Sequence, residues 1–389
     1  MTICLVGSEM CIRDRYHTCA LTSTNDMYCF GLNSNMQLAD GVNFGMADMK
    51  MDNVPGHKFD SIDFGAYLGC GVASNQRPYC WGYNYYGGVG DGTTTFREEA
   101  TEVDVSGITG SKNFTSVEVG AYHSCGMTDD NKVYCWGSGG NGRLGDGLSS
   151  DSHVPVEVDL SGVTGTVEKI YSGVNHSCLL TTTGDGYCWG RNSDGELGIN
   201  NNTIQSTPQP IVTTSLVGDT SFELLHLGQY VSCGLSTDSK VYCWGRGGSD
   251  ARNGQGGSGS NNLPELIDTS NVVGTPEFKD VAVGEAHGCV VQTTGDVYCW
   301  GYNGSSGWLG VGGTANQQVP LPIITTNVPA GAKFASVDMG QGHSTCAATE
   351  DDEVYCWGMD GNRGIYSPDN LSFSREDRPF ATNMSLLGL

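Results

Sequence analysis

Segments with apolar residues at every second position recur along the chain, each closing on a glycine. They are Phe59 to Gly65, Phe114-Thr115-Ser116-Val117-Glu118-Val119-Gly120, Val167 to Gly173, Phe222 to Gly228, Phe278 to Gly284 and Phe334 to Gly340. A period of two marks half-buried β-strands. A second segment follows, such as His123-Ser124-Cys125, and then a third, such as Val133-Tyr134-Cys135-Trp136-Gly137. Next comes a Gly/Asn/Asp-rich loop, as in Asn192-Ser193-Asp194-Gly195-Glu196-Leu197-Gly198. An outer segment with proline, such as Val154-Pro155-Val156-Glu157-Val158, closes the unit. Proline cannot donate to a ladder, so it belongs on a sheet edge. Four short strands repeated seven times predict an all-β, seven-bladed β-propeller.

The cysteines fix the period. Fourteen of sixteen fall into pairs ten positions apart: Cys19/Cys29, Cys70/Cys80, Cys125/Cys135, Cys178/Cys188, Cys233/Cys243, Cys289/Cys299 and Cys346/Cys356. Successive pairs begin 51, 55, 53, 55, 56 and 57 residues apart. If two such cysteines face each other across a hairpin, three residues form the loop, and the last of these needs a left-handed backbone. That position holds Asn25, Gln76, Asn131, Gly184, Ser239, Gly295 and Asp352. Five of the seven are Gly, Asn or Asp, which tolerate positive φ. Opposed residues lie about 4.5–5.5 Å apart at Cα, within reach of a disulfide. The spacing therefore predicts one disulfide per blade. Zinc is the rival, because His17, His123, His176 and His287 each precede a cysteine by two residues and His343 by three. Leu68 and Val231 interrupt that series and no CxxC knuckle occurs, so the histidines are assigned to contacts between blades, with zinc and free cytosolic thiols as the alternatives to disulfides.

Composition narrows the function. The chain has 389 residues, 58 of them glycine, and a formal net charge of −24. So acidic a surface repels nucleic acid and anionic lipid. No run of 18 apolar residues is present to span a membrane. Seven oxidised pairs imply an oxidising compartment, secreted or cell-surface.

The phrase Gly-x-x-His-Ser/Thr-Cys…Tyr-Cys-Trp-Gly-x-Asn-x-x-Gly-x-Leu-Gly-Asp-Gly resembles the repeat of the regulator of chromosome condensation family. His176-Ser177-Cys178…Tyr187-Cys188-Trp189-Gly190-Arg191-Asn192 and His123-Ser124-Cys125…Trp136-Gly137, ending Leu144-Gly145-Asp146-Gly147, carry the likeness. It extends from Tyr16 to about Leu389. The resemblance implies a seven-bladed propeller. It implies less about activity, since such repeats are shared by guanine-nucleotide exchange factors, ubiquitin-ligase modules, an ultraviolet photoreceptor and secreted bacterial β-lactamase inhibitors. The acidity and paired cysteines are most similar to the secreted bacterial type.

Candidate chemistry is sparse. Six tryptophans (Trp81, Trp136, Trp189, Trp244, Trp300, Trp357) follow the second cysteine and suit blade packing. Trp308 lies outside that slot and is a candidate exposed anchor. Arg143, Arg191, Arg246 and Arg363 all fall in the loop after Trp-Gly and are candidate binding residues on one face. Asp40-Gly41, Asp91-Gly92 and Asp146-Gly147 suggest calcium, but turn chemistry explains them. No GxSxG, Walker loop or HExxH motif is present, so neither a catalytic residue nor a cofactor or metal is expected. Residues 1–15, with Ser8-Glu9-Met10-Cys11-Ile12-Arg13-Asp14-Arg15, read as translated adapter sequence from a metagenomic gene model, or as a true leader pairing Cys4 with Cys11. The first reading leaves blade one without an inner strand. Residues 16–389 are then a single propeller domain, with Arg378-Pro379-Phe380-Ala381-Thr382 as the last outer strand. The expected function is a non-catalytic extracellular scaffold binding a protein or glycan through one loop face. The alternative is nucleotide exchange on a small GTPase.

Overall fold

Among the described residues, seven antiparallel sheets of four strands follow one another, and within each the strand order follows the sequence. The computed structural model describes Val54 and residues 57–305, 307–339, 344–351 and 353–358, with the backbone of the strands Glu9–Cys11, His17–Leu21, Met27–Gly31, Met49–Met51 and Glu376–Ala381. The third sheet is representative, with strands Phe114–Val119, His123–Thr128, Val133–Gly137 and Ser152–Glu157. Its third strand is buried at every position and its second at all but Met127, whereas the outer strand is mostly accessible. Strands buried on both faces need apolar or small residues throughout. The edge strand alone accommodates Pro155.

The predicted hairpin is present. Thr128 N donates to Lys132 O at 3.0 Å and Asn131 N to Thr128 O at 2.9 Å, enclosing a three-residue loop. Asn131 has a φ of +63°, and Gln76, Gly184, Ser239 and Gly295 have φ of +61°, +79°, +63° and +87°. Asn25 and Asp352 lie outside the described residues. Counting back from the Thr128–Lys132 bond puts Cys125 opposite Cys135 at a non-hydrogen-bonded pair, where backbones approach most closely.

Among the described residues, six of the seven expected disulfides are formed. They join Cys70 to Cys80, Cys125 to Cys135, Cys178 to Cys188, Cys233 to Cys243, Cys289 to Cys299 and Cys346 to Cys356. Their Cα atoms are 4.0–4.1 Å apart, shorter than the 4.5–5.5 Å expected from the ladder. The expectation is corrected on that distance, because a non-hydrogen-bonded pair is the closer of the two kinds and the S–S bond draws its strands together. Cys19 and Cys29 are likewise direct partners in register, and their side chains lie outside the described residues.

A second expectation is corrected at the amino end. The first sheet does have an inner strand, because Glu9–Cys11 pairs with His17–Leu21, Met10 facing Ala20. A ladder needs only backbone donors and acceptors, so a stretch lacking the alternating pattern can still occupy the slot. At the other end, Glu376–Ala381 is the outer strand of the seventh sheet, as expected.

Two compact units result: residues 1–193 with 203–210, and residues 194–202 with 211–389. Sheets one to four lie in the first unit and sheets five to seven in the second. Within each unit the core lies between consecutive sheets. Leu68, Val89, Val103, Phe114, Val117 and Trp136 fill the space between the second and third, and Leu235, Ile267, Phe278, Val290 and Trp300 between the fifth and sixth.

A repeated clip joins neighbours. The indole N–H of Trp136 donates to Gly88 O, Trp189 to Arg143 O, Trp244 to Glu196 O and Trp300 to Arg252 O, all at 2.8–2.9 Å. Ser124, Ser177 and Ser232 hydroxyls donate to the first three of those carbonyls. Two residues past each accepting carbonyl sits a glycine with positive φ, and a Cβ at Gly145 would lie 2.7 Å from the Trp189 indole. The Leu-Gly step of the repeat is thus a seat for the next tryptophan.

Inner strands are tied by side chains. Val119 N donates to Asp63 Oδ2 at 2.6 Å, Val283 N to His226 Nδ1 at 3.2 Å and Val337 N to Asp280 Oδ2 at 2.8 Å. Burial pushes the Asp280 carboxyl up to about 7, against the backbone donors of Val337 and Val281, with the Asp338 charge adding to the rise. The folded chain therefore holds a proton that the unfolded chain releases near its ordinary value of 3.8. Stability is expected to be greatest below about pH 4 for this group, to fall as pH rises through about 7, and then to level off. In Asp280→Asn this fall should vanish from urea midpoints measured between pH 5 and 8. An unchanged pH slope in the variant would refute the assignment.

Candidate binding face

The loops that leave the third strands share one backbone bond. In five sheets the residue after Trp-Gly donates its N–H to the carbonyl of the residue preceding the second strand. Tyr83 pairs with Tyr67, Ser138 with Tyr122, Arg191 with Asn175, Arg246 with Tyr230 and Tyr302 with Ala286, at 2.8–3.0 Å. These paired positions set side chains from two loops side by side at the same end of each sheet.

In the first unit the positions gather aromatics. Tyr83 lies 5.9 Å from Tyr67, 4.9 Å from Phe96, 6.0 Å from Tyr122, 6.2 Å from Tyr86 and 6.4 Å from Tyr85, ring centre to ring centre. Tyr67 stacks on Tyr122 of the next sheet at 5.5 Å. Tyr85 is 63% exposed and Phe96 36%, while Tyr83, Tyr86 and Tyr122 are half-buried. Burial, and then the neighbouring tyrosines, push the Tyr83 hydroxyl up, so it stays protonated. Asn84 braces this loop: its Nδ2 donates to Thr93 O (3.1 Å) and Thr95 O (2.9 Å), and its Oδ1 accepts from Val89 N (2.9 Å). Asn303 ties its own loop to Gly313 O, Ala315 O and Leu309 N in the same way.

The arginines expected on this face divide. Arg143 is only 6% exposed; its Nε donates to Gly140 O at 2.8 Å, so it supports the loop instead of presenting charge. Burial lowers its guanidinium from the ordinary value, and the Asp151 carboxylate opposes the shift. Arg191 is half-exposed and lies with Arg143 about His176. Burial first, and then those two cations, push the His176 imidazole down to about 3, so it adds no charge at neutral pH. Arg246 sits with its guanidinium carbon 5.1 Å over the Tyr230 ring. Arg363 lies outside the described residues.

Trp308 is not the exposed anchor expected. It is 8% exposed and packs on Tyr302 at 4.9 Å and His287 at 6.0 Å. It precedes Leu309-Gly310 as Arg143 precedes Leu144-Gly145, so it fills the same loop position. The buried histidines bridge sheets: His123 Nε2 meets Ser177 Oγ at 2.8 Å, and His287 Nε2 meets Thr345 Oγ1 at 2.9 Å. Asp91 serves its turn, accepting from Thr93 N (3.0 Å) and Thr93 Oγ1 (2.8 Å) and pairing with Arg97. Burial raises the Asp91 carboxyl, but the Thr93 and Arg97 donors prevail and hold it below its ordinary value.

The family model of the regulator of chromosome condensation (RCC1) repeat matches residues 15–37, 114–143, 167–196 and 278–307, and a second model of that repeat matches 130–180 and 294–347. The chain carries RCC1 repeats at these residues. The RCC1 repeats are similar at 25% identity to the ultraviolet-B receptor UVR8 of Arabidopsis thaliana, over 89% of this chain and 76% of that protein. Similarity to the E3 ubiquitin-protein ligase HERC2 of Mus musculus is 28% over 74% of this chain, which spans only 6% of that protein. Among solved structures, human WBSCR16 superposes with a TM-score of 0.75 at 20% identity, over 92% of this chain and 95% of that one. Yeast RCC1 gives 0.70 at 22% identity, over 85% and 77%. These likenesses show the RCC1-type β-propeller fold. In RCC1 terms, the Trp, Leu-Gly and Asn of the repeat phrase are the clip, its seat and the loop brace.

Proposed function

We propose that this chain is a non-catalytic scaffold, secreted or held at a cell surface, that binds a protein or glycan partner through one loop face. The observation that carries the reading is the aromatic cluster of the first unit, with Tyr85 and Phe96 open to solvent on braced loops. Exposed tyrosines on a rigid frame bind partners at low entropic cost, and they are enriched where binding energy concentrates. Support for an oxidising compartment comes from the disulfides, one in each of six hairpins. A yeast relative's solved structure is described together with its binding to histones, which accords with partner binding on this fold.

The test has two arms. Immobilised chain is screened against glycan and peptide arrays, beside a Tyr85→Ala/Phe96→Ala double variant. Binding that the double variant loses is the expected result; binding that it retains in full removes the face from consideration. In parallel, release of labelled nucleotide from a small GTPase is followed with and without the chain. No acceleration is expected, and acceleration would replace this reading with that of an exchange factor.

A further inference from the structure

We propose that the tyrosine cluster of the first unit docks an arginine-bearing, cationic segment of a partner protein. The inference rests on the binding reading above and gives the partner a chemistry.

The chain supplies its own precedent. Tyr230 and Arg246 occupy the paired loop positions of the fifth sheet, joined by the Arg246 N to Tyr230 O bond at 2.9 Å. There the guanidinium carbon of Arg246 lies 5.1 Å from the Tyr230 ring centre, and that of Arg252 lies 5.9 Å away. A tyrosine face at this loop position therefore takes guanidinium groups. In the second sheet the position of Arg246 is held by Tyr83, through the equivalent 2.8 Å bond to Tyr67. The intrinsic cation is replaced by a ring, and that ring gathers Tyr85, Tyr86 and Phe96 around it. Among the described residues no cation lies over the Tyr83, Tyr85, Tyr86 or Phe96 rings. Neither arginine of the neighbouring loops covers a ring: Arg97 pairs with Asp91, and Arg143, buried with its Nε on Gly140 O, adds a charge near Tyr86 and Tyr122 without lying over either.

Aromatic faces carry the negative end of the ring quadrupole, so they attract cations. Guanidinium is planar and more weakly hydrated than ammonium, so it stacks where lysine stays solvated. Charge favours the same occupant. The chain carries a net −24, and the strand Arg97–Glu102, which begins beside Phe96, exposes Glu98, Glu99 and Glu102. A cationic segment is steered towards such a surface, whereas a neutral glycan gains nothing from that field.

The experiment uses the full chain and a short Gly-spaced peptide with three arginines, compared with its lysine and citrulline counterparts, by isothermal titration in low and moderate salt. The arginine peptide should bind several-fold more tightly than the lysine peptide and at least ten-fold more tightly than the citrulline peptide. Tyr85→Ala with Phe96→Ala should weaken the arginine peptide at least ten-fold with an unchanged melting temperature. Tyr85→Phe should keep most of the affinity, and Leu148→Ala, an exposed apolar control, all of it. Equal binding of the arginine and citrulline peptides, or none, overturns the proposal, as does indifference to the double variant. Tyr85-dependent glycan binding without peptide binding would overturn this inference and leave the broader binding reading standing. Tyr85-dependent self-association in sedimentation would assign the cluster to a second copy and overturn it too.

Discussion

Trp189→Ala is expected to destabilise the first unit by about 3–5 kcal/mol, the cost of emptying a large aromatic site in a packed core. Trp189 is fully buried among Leu144, Val158, Ile170 and Tyr187, so the vacated volume has little freedom to collapse. Its indole also donates to Arg143 O at 2.9 Å, leaving that carbonyl with only the longer Ser177 contact of 3.3 Å. Trp189→Phe should cost less, because it keeps most of the volume and loses one hydrogen bond of about 1 kcal/mol. The clip has a second side that can be struck independently. Gly145→Ala places a Cβ 2.7 Å from the indole at a φ of +74°, so it should approach the effect of removing the ring. Urea unfolding followed by near-ultraviolet circular dichroism measures all three. A loss under about 1 kcal/mol for Trp189→Ala would mean the groove is not packed as described, since even a single buried aliphatic truncation usually exceeds that.

The second large effect concerns the disulfides together. Each closes a short loop, for which chain entropy predicts about 2–3 kcal/mol. Six would sum to ~15 kcal/mol if independent, as large as the whole net stability of an ordinary domain. The chain is therefore expected not to regain its native near-ultraviolet signal when refolded from denaturant with excess reductant, and to regain it when refolded oxidised. Even the most accessible of the twelve bonded cysteines, Cys346 and Cys356, are only 3% exposed, so reductant added to the native chain should act slowly. Refolding in reductant to a melting point within a few degrees of the oxidised chain would show that packing alone holds the sheets.

Much of this was legible because the repeat states each rule several times over. Ten-residue spacing with Asn131, Gly184 and Gly295 at one turn position specified the loop, and Gln76 and Ser239 accept positive φ there although neither residue favours it. The disulfides follow from that register, from Cys70–Cys80 in the second sheet to Cys346–Cys356 in the seventh. The tryptophans after the second cysteine were read as packing, and those described are fully buried. The face was harder to see. Arg143 and Trp308 look like surface anchors in a polar, glycine-rich loop, yet both turn inward, because side-chain direction there depends on the neighbouring sheet and not on local pattern. Aligning the repeats on Leu-Gly would have placed both in one position. The run Tyr83, Tyr85, Tyr86 was visible in the sequence, but Tyr67 and Tyr122 join it only through the fold. The inner strand at Glu9–Cys11 was illegible because a short backbone ladder leaves no apolar signature.

The clip to the next tryptophan is made by a backbone carbonyl, so the bond itself does not depend on which side chain the residue carries. The residue supplying that carbonyl is Gly88 in one repeat and Arg143, Glu196 or Arg252 in others, with the same bond at 2.8–2.9 Å each time. Glycine, arginine and glutamate all meet one architectural demand, so the demand falls on the peptide group alone. Such a position can be rewritten from neutral to cationic to anionic without a change of scaffold. The seam that joins the sheets thereby accepts side chains of different charge while the frame is inherited intact.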